Sequence, residues 1–265
     1  LACTFGFLSF ALSAKLLPYF LLTSFPAWLR DVAAGVLALL LLIVATRFLL
    51  HRRPSWTHPT LILLARPSPQ QQHHTRRALA AGFLLFGCVI GVALATNAIE
   101  LHWRGLPVSE LLPFLFLLLA TTFFNAAWEE LSFRGWAFSA CVHRFGPHPV
   151  AIALGLLFGL AHLLSDHPSI LAILSTSIAG WLLSYLMLSY RHITVPLALH
   201  ISWNLCQSLL CSKHLWDVSY PGPDWLSGQP YGPEAGLPAI VITTSALLVV
   251  LWLHRKQQAN NHATS

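Results

Sequence analysis

Long apolar runs recur along the chain with short polar interruptions between them, at residues 1–29, 32–50, 78–99, 111–140, 150–164, 170–190, 194–210 and 237–253. A helix rises 1.5 Å per residue, so most of these runs can cross roughly 30 Å of hydrocarbon. They are continuous rather than alternating. That predicts helices and excludes barrel strands, because a backbone in lipid must satisfy its own hydrogen bonds. The expected fold is an all-α polytopic membrane protein of about eight transmembrane helices. Lys15, Pro18 and Pro26 make the first run a broken or partly interfacial helix, and run 150–164 is short enough to span only among its neighbours.

Composition agrees: 56% of the 265 residues are hydrophobic and 9% charged. A soluble domain carries about a quarter charged residues. Disorder, coiled coil and disulfide scaffold fall with the same numbers. Cys3, Cys88, Cys141, Cys206 and Cys211 show no metal-ligand spacing and read as small core residues. No charged-then-apolar leader precedes the first run, which is taken as part of the fold.

Charge gives direction. With the 51–77 connection inside the cell, Arg47, Arg52, Arg53, Arg66, Arg76, Arg77, Arg144, Arg191, Arg255 and Lys256 lie inside, against Arg30, Arg104 and Lys213 outside. The acids outside the membrane, Asp31, Glu100, Glu110, Asp166, Asp217, Asp224 and Glu234, all fall on the outer side. Both termini are then cytoplasmic, and the net charge of +6 reflects topology and anionic lipid rather than nucleic acid. A bacterial plasma membrane is the expected location. Three parts are expected: 1–110, N-terminal helices with a flexible Pro/Gln/His/Arg-rich loop at 51–77, its 61–65 stretch near the membrane surface; 111–210, a catalytic core; and 211–265, a turn-rich outer loop to residue 236, the last helix and a frayed polar tail from 257.

Ionisable groups at membrane depth are costly and mark function. Here they are Glu129, Glu130 and Arg134 in the fourth run, His162 at the end of the fifth, and His200 with Asn204 in the seventh. Glu130 and Arg134 are four apart, acid first, and should pair as a support for the helix. Glu129 is turned about 100° from Glu130 and must address something else. His200 and Asn204 stack one turn apart as a donor pair. Counting rises places all of these groups in one layer, a polar chamber opening toward the inside. A carboxylate and an imidazole, Glu129 and His162, can hold and deprotonate a water. His200 and Asn204 can donate to the oxyanion formed when that water attacks a peptide carbonyl. His143, His148, His167 and His192 are assigned to interfaces or loops.

Glu129-Glu130-x-x-x-Arg134, Phe158-x-x-x-His162 and His200-x-x-x-Asn204, in this order and each on a membrane helix, resemble the three motifs of the CAAX prenyl endopeptidase and bacteriocin-processing (abortive-infection-like) family over about residues 111–210. The resemblance implies an eight-helix intramembrane glutamate protease. Residues matching Glu129 and His162 would activate water, and those matching His200 and Asn204 would form the oxyanion site. Glu130 and Arg134 would support the catalytic helix, and Phe158 would pack the site. No cofactor is expected. Zinc is the alternative, although HExxH is lacking and Glu130 is committed to Arg134. The partners expected are a peptide or membrane-protein substrate, leader-type rather than prenylated in a bacterium, and the bilayer. A transporter or proton relay and an idle immunity scaffold are the rivals from other classes. Serine and aspartyl protease readings fail, because there is no GxSx nucleophile motif and no embedded Asp.

Overall fold

The computed structural model describes residues 27–52, 66–165 and 167–263. The expected first run up to residue 26, with Lys15, Pro18 and Pro26, lies outside the described residues, as does the 61–65 stretch. The helices are α1 (Ala27–Arg52), α2 (Pro69–Ala95), α3 (Val108–Arg134), α4 (Trp136–Phe145), α5 (Pro147–Ala161), α6 (Ile170–Tyr190), α7 (Thr194–Leu210), α8 (Asp224–Ser227) and α9 (Leu237–Ala263). Two short strands, β1 (Glu100–Trp103) and β2 (Trp216–Ser219), pair antiparallel, with Trp103 opposite Trp216.

The fold is all-α and polytopic. Four candidate spans, Pro69–Ala95, Val108–Phe145, Ile170–Tyr190 and Leu237–Asn260, are long and apolar enough to cross a membrane, and Val32–Val44 and Pro147–Ala161 are shorter apolar helices. The outward faces show what surrounds them. Leu84, Leu112, Phe116, Leu248 and Trp252 are each more than half exposed. In water a belt of that kind would be an aggregation surface; in a bilayer it meets hydrocarbon. Helix α6 is the central pillar. Its Ile178, Leu182 and Leu186 join Ala151 of α5, Val195 and Leu199 of α7 and Leu247 of α9 in one core.

Several boundaries differ from the sequence reading, each for a local reason. Residues 69–77, expected in a flexible loop, are the first turns of α2. Ser68 accepts from the Gln71 amide at 3.2 Å, the Gln71 side chain accepts from the Ser68 amide at 2.9 Å, and Pro69 opens the helix. The tail from 257, expected to fray, continues α9 as helix to Ala263. The outer loop is turn-rich as expected and also carries β2. Among the cysteines, Cys206 is buried but Cys88 is exposed on α2. His192, assigned to a loop or interface, is buried where α6 turns into α7, with Nδ1 2.8 Å from Thr194 Oγ1.

The correction that matters most for the site is the fourth run. The expected continuous span breaks at Gly135, into α3 and α4. A Cβ on Gly135 would lie 2.1 Å from the Leu131 carbonyl oxygen, so this bend needs glycine. Beyond it α4 and α5 form an antiparallel hairpin: Phe138, Cys141 and Val142 pack with Val150 and Leu154. Further up, Phe133 of α3 meets Phe158 of α5 edge to face, ring centres 5.2 Å apart. Glu129 stands one turn before Phe133 on α3, and His162 one turn after Phe158 at the end of α5.

Candidate active site

The centre of the site is a buried ion pair. Arg134 and Glu130 are both 0% exposed. Arg134 Nη1 donates to Glu130 Oε1 at 3.0 Å, as the i, i+4 spacing predicts. The rest of the guanidinium is used as well: Nη2 donates to the Gly180 carbonyl at 2.8 Å, Nε lies 3.5 Å from Ser184 Oγ, and the cation sits 4.6 Å from the centre of the Phe158 ring. Gly180 is accessible because α5 and α6 approach closely, through glycines on both. A Cβ on Gly180 would be 2.9 Å from Gly155 Cα. Gly180 and Ser184 share one face of α6, four residues apart, and the sequence reading missed both. Buried Ser175, Thr176, Ser177 and Ser184 in an otherwise apolar helix were the available signal.

His200 lies between the two carboxylates. Its Nδ1 is 2.9 Å from Glu130 Oε1, and its Nε2 is 3.6 Å from Glu129 Oε2. A carboxylate oxygen only accepts, so Nδ1 carries the proton in that contact. This joins the first and third motifs, since Glu130 is at once the partner of Arg134 and of His200. Sequence spacing gave the first contact and could not give the second. Glu130 Oε2 is buried without a hydrogen-bond partner among the described residues. Asn204 is half-buried on the same face of α7, one turn beyond His200.

His162 ends α5, where the α-helix tightens into a 3-10 turn at His162–Leu164. Its Nδ1 is 2.8 Å from the Phe158 carbonyl oxygen. A carbonyl cannot donate, so Nδ1–H is the donor and Nε2 keeps its lone pair. Phe158 is 3% exposed and sits at the hub, with ring centres 4.9 Å from His162 and 6.0 Å from His200. The Phe-x-x-x-His spacing therefore sets one wall of the site and the tautomer of its histidine.

A cavity of about 480 Å³ is lined by Phe114 and Leu118 of α3, Gln207 and Ser208 of α7, and Gln229 and Tyr231 of the 211–236 segment. Gln207 and Ser208 continue the His200–Asn204 face along α7. The sequence reading opens the polar chamber toward the 51–77 connection. This cavity is a separate one, lined by none of the motif residues and walled by the 211–236 segment, whose Pro233 and Ala235 are buried.

Residues 111–206 match the family model described as Rce1-like, Type II CAAX prenyl endopeptidase Rce1-like. No curated protein and no solved structure matches the chain. The matched segment runs from α3 to α7 and contains every residue of the three motifs.

Proposed function

We propose that this chain, whose residues 111–206 match the Rce1-like type II CAAX prenyl endopeptidase model, cleaves peptide bonds of membrane-associated substrates with a water activated by Glu129 and His162. The general activity, that of a CAAX-type intramembrane protease, is supported by the Rce1-like match. The assignment of steps to residues is our own reading.

In that reading water is held between the Glu129 carboxylate and the Nε2 lone pair of His162. As the water oxygen bonds to the substrate carbonyl carbon, its proton passes to this pair, and the carbonyl oxygen becomes an oxyanion. His200 Nε2–H and the Asn204 amide donate to that oxygen, an interaction worth about 3–4 kcal/mol in the transition state. The C–N bond then breaks as the stored proton moves to the leaving nitrogen, giving a carboxylate and a free amine. Glu130 orients His200 through Nδ1–H, and Arg134 balances the Glu130 charge while tying α3 to the α6 backbone. Phe158 keeps the His162 donor occupied.

The single observation supporting this reading most directly is the His162 Nδ1–H bond to the Phe158 carbonyl, which leaves Nε2 as a base, on a turn whose Phe158 ring meets Phe133 one turn from Glu129. The test is cleavage of a quenched farnesylated peptide ending in a CAAX sequence, and of a leader-type peptide, by protein in liposomes. Glu129→Gln should abolish turnover while the protein stays folded; turnover at the parent rate would remove the mechanism. The zinc version would draw on Glu129, His162 and His200 Nε2, three ligands from three helices, with Glu130 held by Arg134. The natural substrates, on this reading, are membrane proteins or leader peptides, and the lipid bilayer is the medium in which they are met.

A further inference from the structure

Helices α3 and α7 meet at two places far apart along their lengths. Glu130 of α3 lies 2.9 Å from His200 of α7, and Phe114 of α3 meets His214, just past α7, with ring centres 4.6 Å apart. Residue numbers fall along one helix as they rise along the other, so the pair is antiparallel. The cavity of about 480 Å³ lies at the second contact, with Phe114 and Leu118 on one wall and Gln207, Ser208 and Cys211 on another. That size falls within the range of about 300–1,000 Å³ of ligand-binding cavities.

One face of each helix joins the two places. On α3, Phe114, Leu118, Asn125 and Glu129 are spaced four, seven and four residues, which at about 100° per residue keeps them within roughly 60° of one another. On α7, His200, Asn204, Gln207 and Cys211 are spaced four, three and four, and share a face in the same way. Asn125, Asn204, Gln207 and Ser208 are half-buried, which leaves polar groups between the helices of an apolar bundle. Helix α1 flanks the α3 face: a Cβ on Gly35 would lie 3.5 Å from Asn125 Oδ1. From Glu129 to Leu118 is eleven residues and from His200 to Ser208 is eight, about 16 and 12 Å of helix. An extended peptide advances about 3.3 Å per residue, so four or five residues cover that distance.

The lining says what such a peptide should carry there. Gln207, Ser208, Ser212 and Gln229 offer amides and hydroxyls, and Tyr220 and Tyr231 add rings with polar tips. Charge is balanced: Lys213 lines the cavity from an exposed position, and Glu234 follows directly on the lining residue Pro233. Hydrogen bonding, not net charge, is therefore what this lining selects. Resting on the water-activation reading above, we propose that the cavity is a substrate subsite that takes an uncharged polar stretch of extended peptide four to five residues from the bond that is cut, with Gln207 as its hydrogen-bonding anchor on α7.

The test fixes the cut bond in whichever of the two quenched peptides above turns over in liposomes and lengthens each flank separately with Ser and Gln, from two residues to eight. The expected result is a kcat/KM that rises about five- to tenfold, the scale of one hydrogen bond, once one flank reaches four or five residues, and stays level beyond. Gln207→Leu should remove that rise while cutting the short peptides at the parent rate. A flat dependence on length overturns the proposal. Equal loss on short and long peptides in Gln207→Leu also overturns it, making Gln207 a packing residue of α7. A second arm needs no turnover: Glu129→Gln protein is photo-crosslinked to eight-residue-flank peptides carrying benzoylphenylalanine at one position at a time. The probe five residues from the bond should label residues 207–213 or 229–233, and the probe two residues away should not; labelling of these segments by neither probe, or by both alike, overturns the subsite. Parent turnover in Glu129→Gln would sink the water-activation reading instead, and the crosslinks then decide the subsite by themselves.

Discussion

Replacing Arg134 by Met tests whether the buried pair is structural support, separately from any catalytic claim. The substitution keeps length and apolar volume but removes the cation. Glu130 would then retain only His200 Nδ1–H on Oε1, with Oε2 already lacking a partner, and the Gly180 carbonyl would lose its 2.8 Å donor. Breaking one side of a buried pair leaves an uncompensated charge and costs about 3–5 kcal/mol, roughly a hundred- to several-thousandfold in the folding equilibrium. Arg134→Lys keeps the charge but not the planar fork that reaches Glu130 and Gly180 together, and should cost about 1–2 kcal/mol. The double variant Glu130→Gln with Arg134→Met removes both charges and should recover most of the loss. The assay is reversible unfolding in mixed micelles, followed by helical circular dichroism, across the full cycle of single and double variants. If Arg134→Met is no less stable than the double variant, the pair is not coupled, and the claim that Arg134 exists to balance Glu130 is wrong.

The other predictions address the site, the packing and the outer loop. Asn204→Ala should lower kcat by about a hundred- to a thousandfold with little change in KM, the loss of one oxyanion donor, measured in the same liposome assay. Proteolysis should persist after chelators strip divalent metal; a loss that zinc restores would favour the zinc mechanism. Gly180→Ala must push α5 away, since its Cβ would sit 2.9 Å from Gly155 Cα and 3.0 Å from the Gly155 carbonyl oxygen, and about 1–3 kcal/mol of destabilisation is expected in thermal unfolding. Alkaline pH supplies a fourth check. The folded-state pKa of Tyr231 is raised above its unfolded value of about 10, so the folded state binds more protons in that range, and stability should fall as pH rises above about 10. Tyr231→Phe should flatten that fall, which alkaline unfolding curves with tyrosinate absorbance would show.

The apolar runs by themselves determined the fold class. Runs such as 170–190 and 194–210 coincide with α6 and α7, because continuous hydrophobicity over a helical span in lipid leaves the backbone no other way to satisfy its hydrogen bonds. The i, i+4 pairs were legible for the same local reason: Glu130 with Arg134 and Phe158 with His162 depend only on helix geometry. Composition misjudged the ends of helices. The polar residues after Ser68 and the tail after 256 are helical, because a capping box and an already formed helix carry them. What tertiary structure alone decided is who meets across helices. His200 falls between Glu129 and Glu130, and the Arg134 fork finds Gly180 and Ser184. Those contacts depend on the bend at Gly135, on the α4–α5 hairpin and on the close approach of α5 to α6. Spacing within one helix carries no information about the register between two, so the ingredients of the site could be named from the chain while their arrangement required the packed bundle.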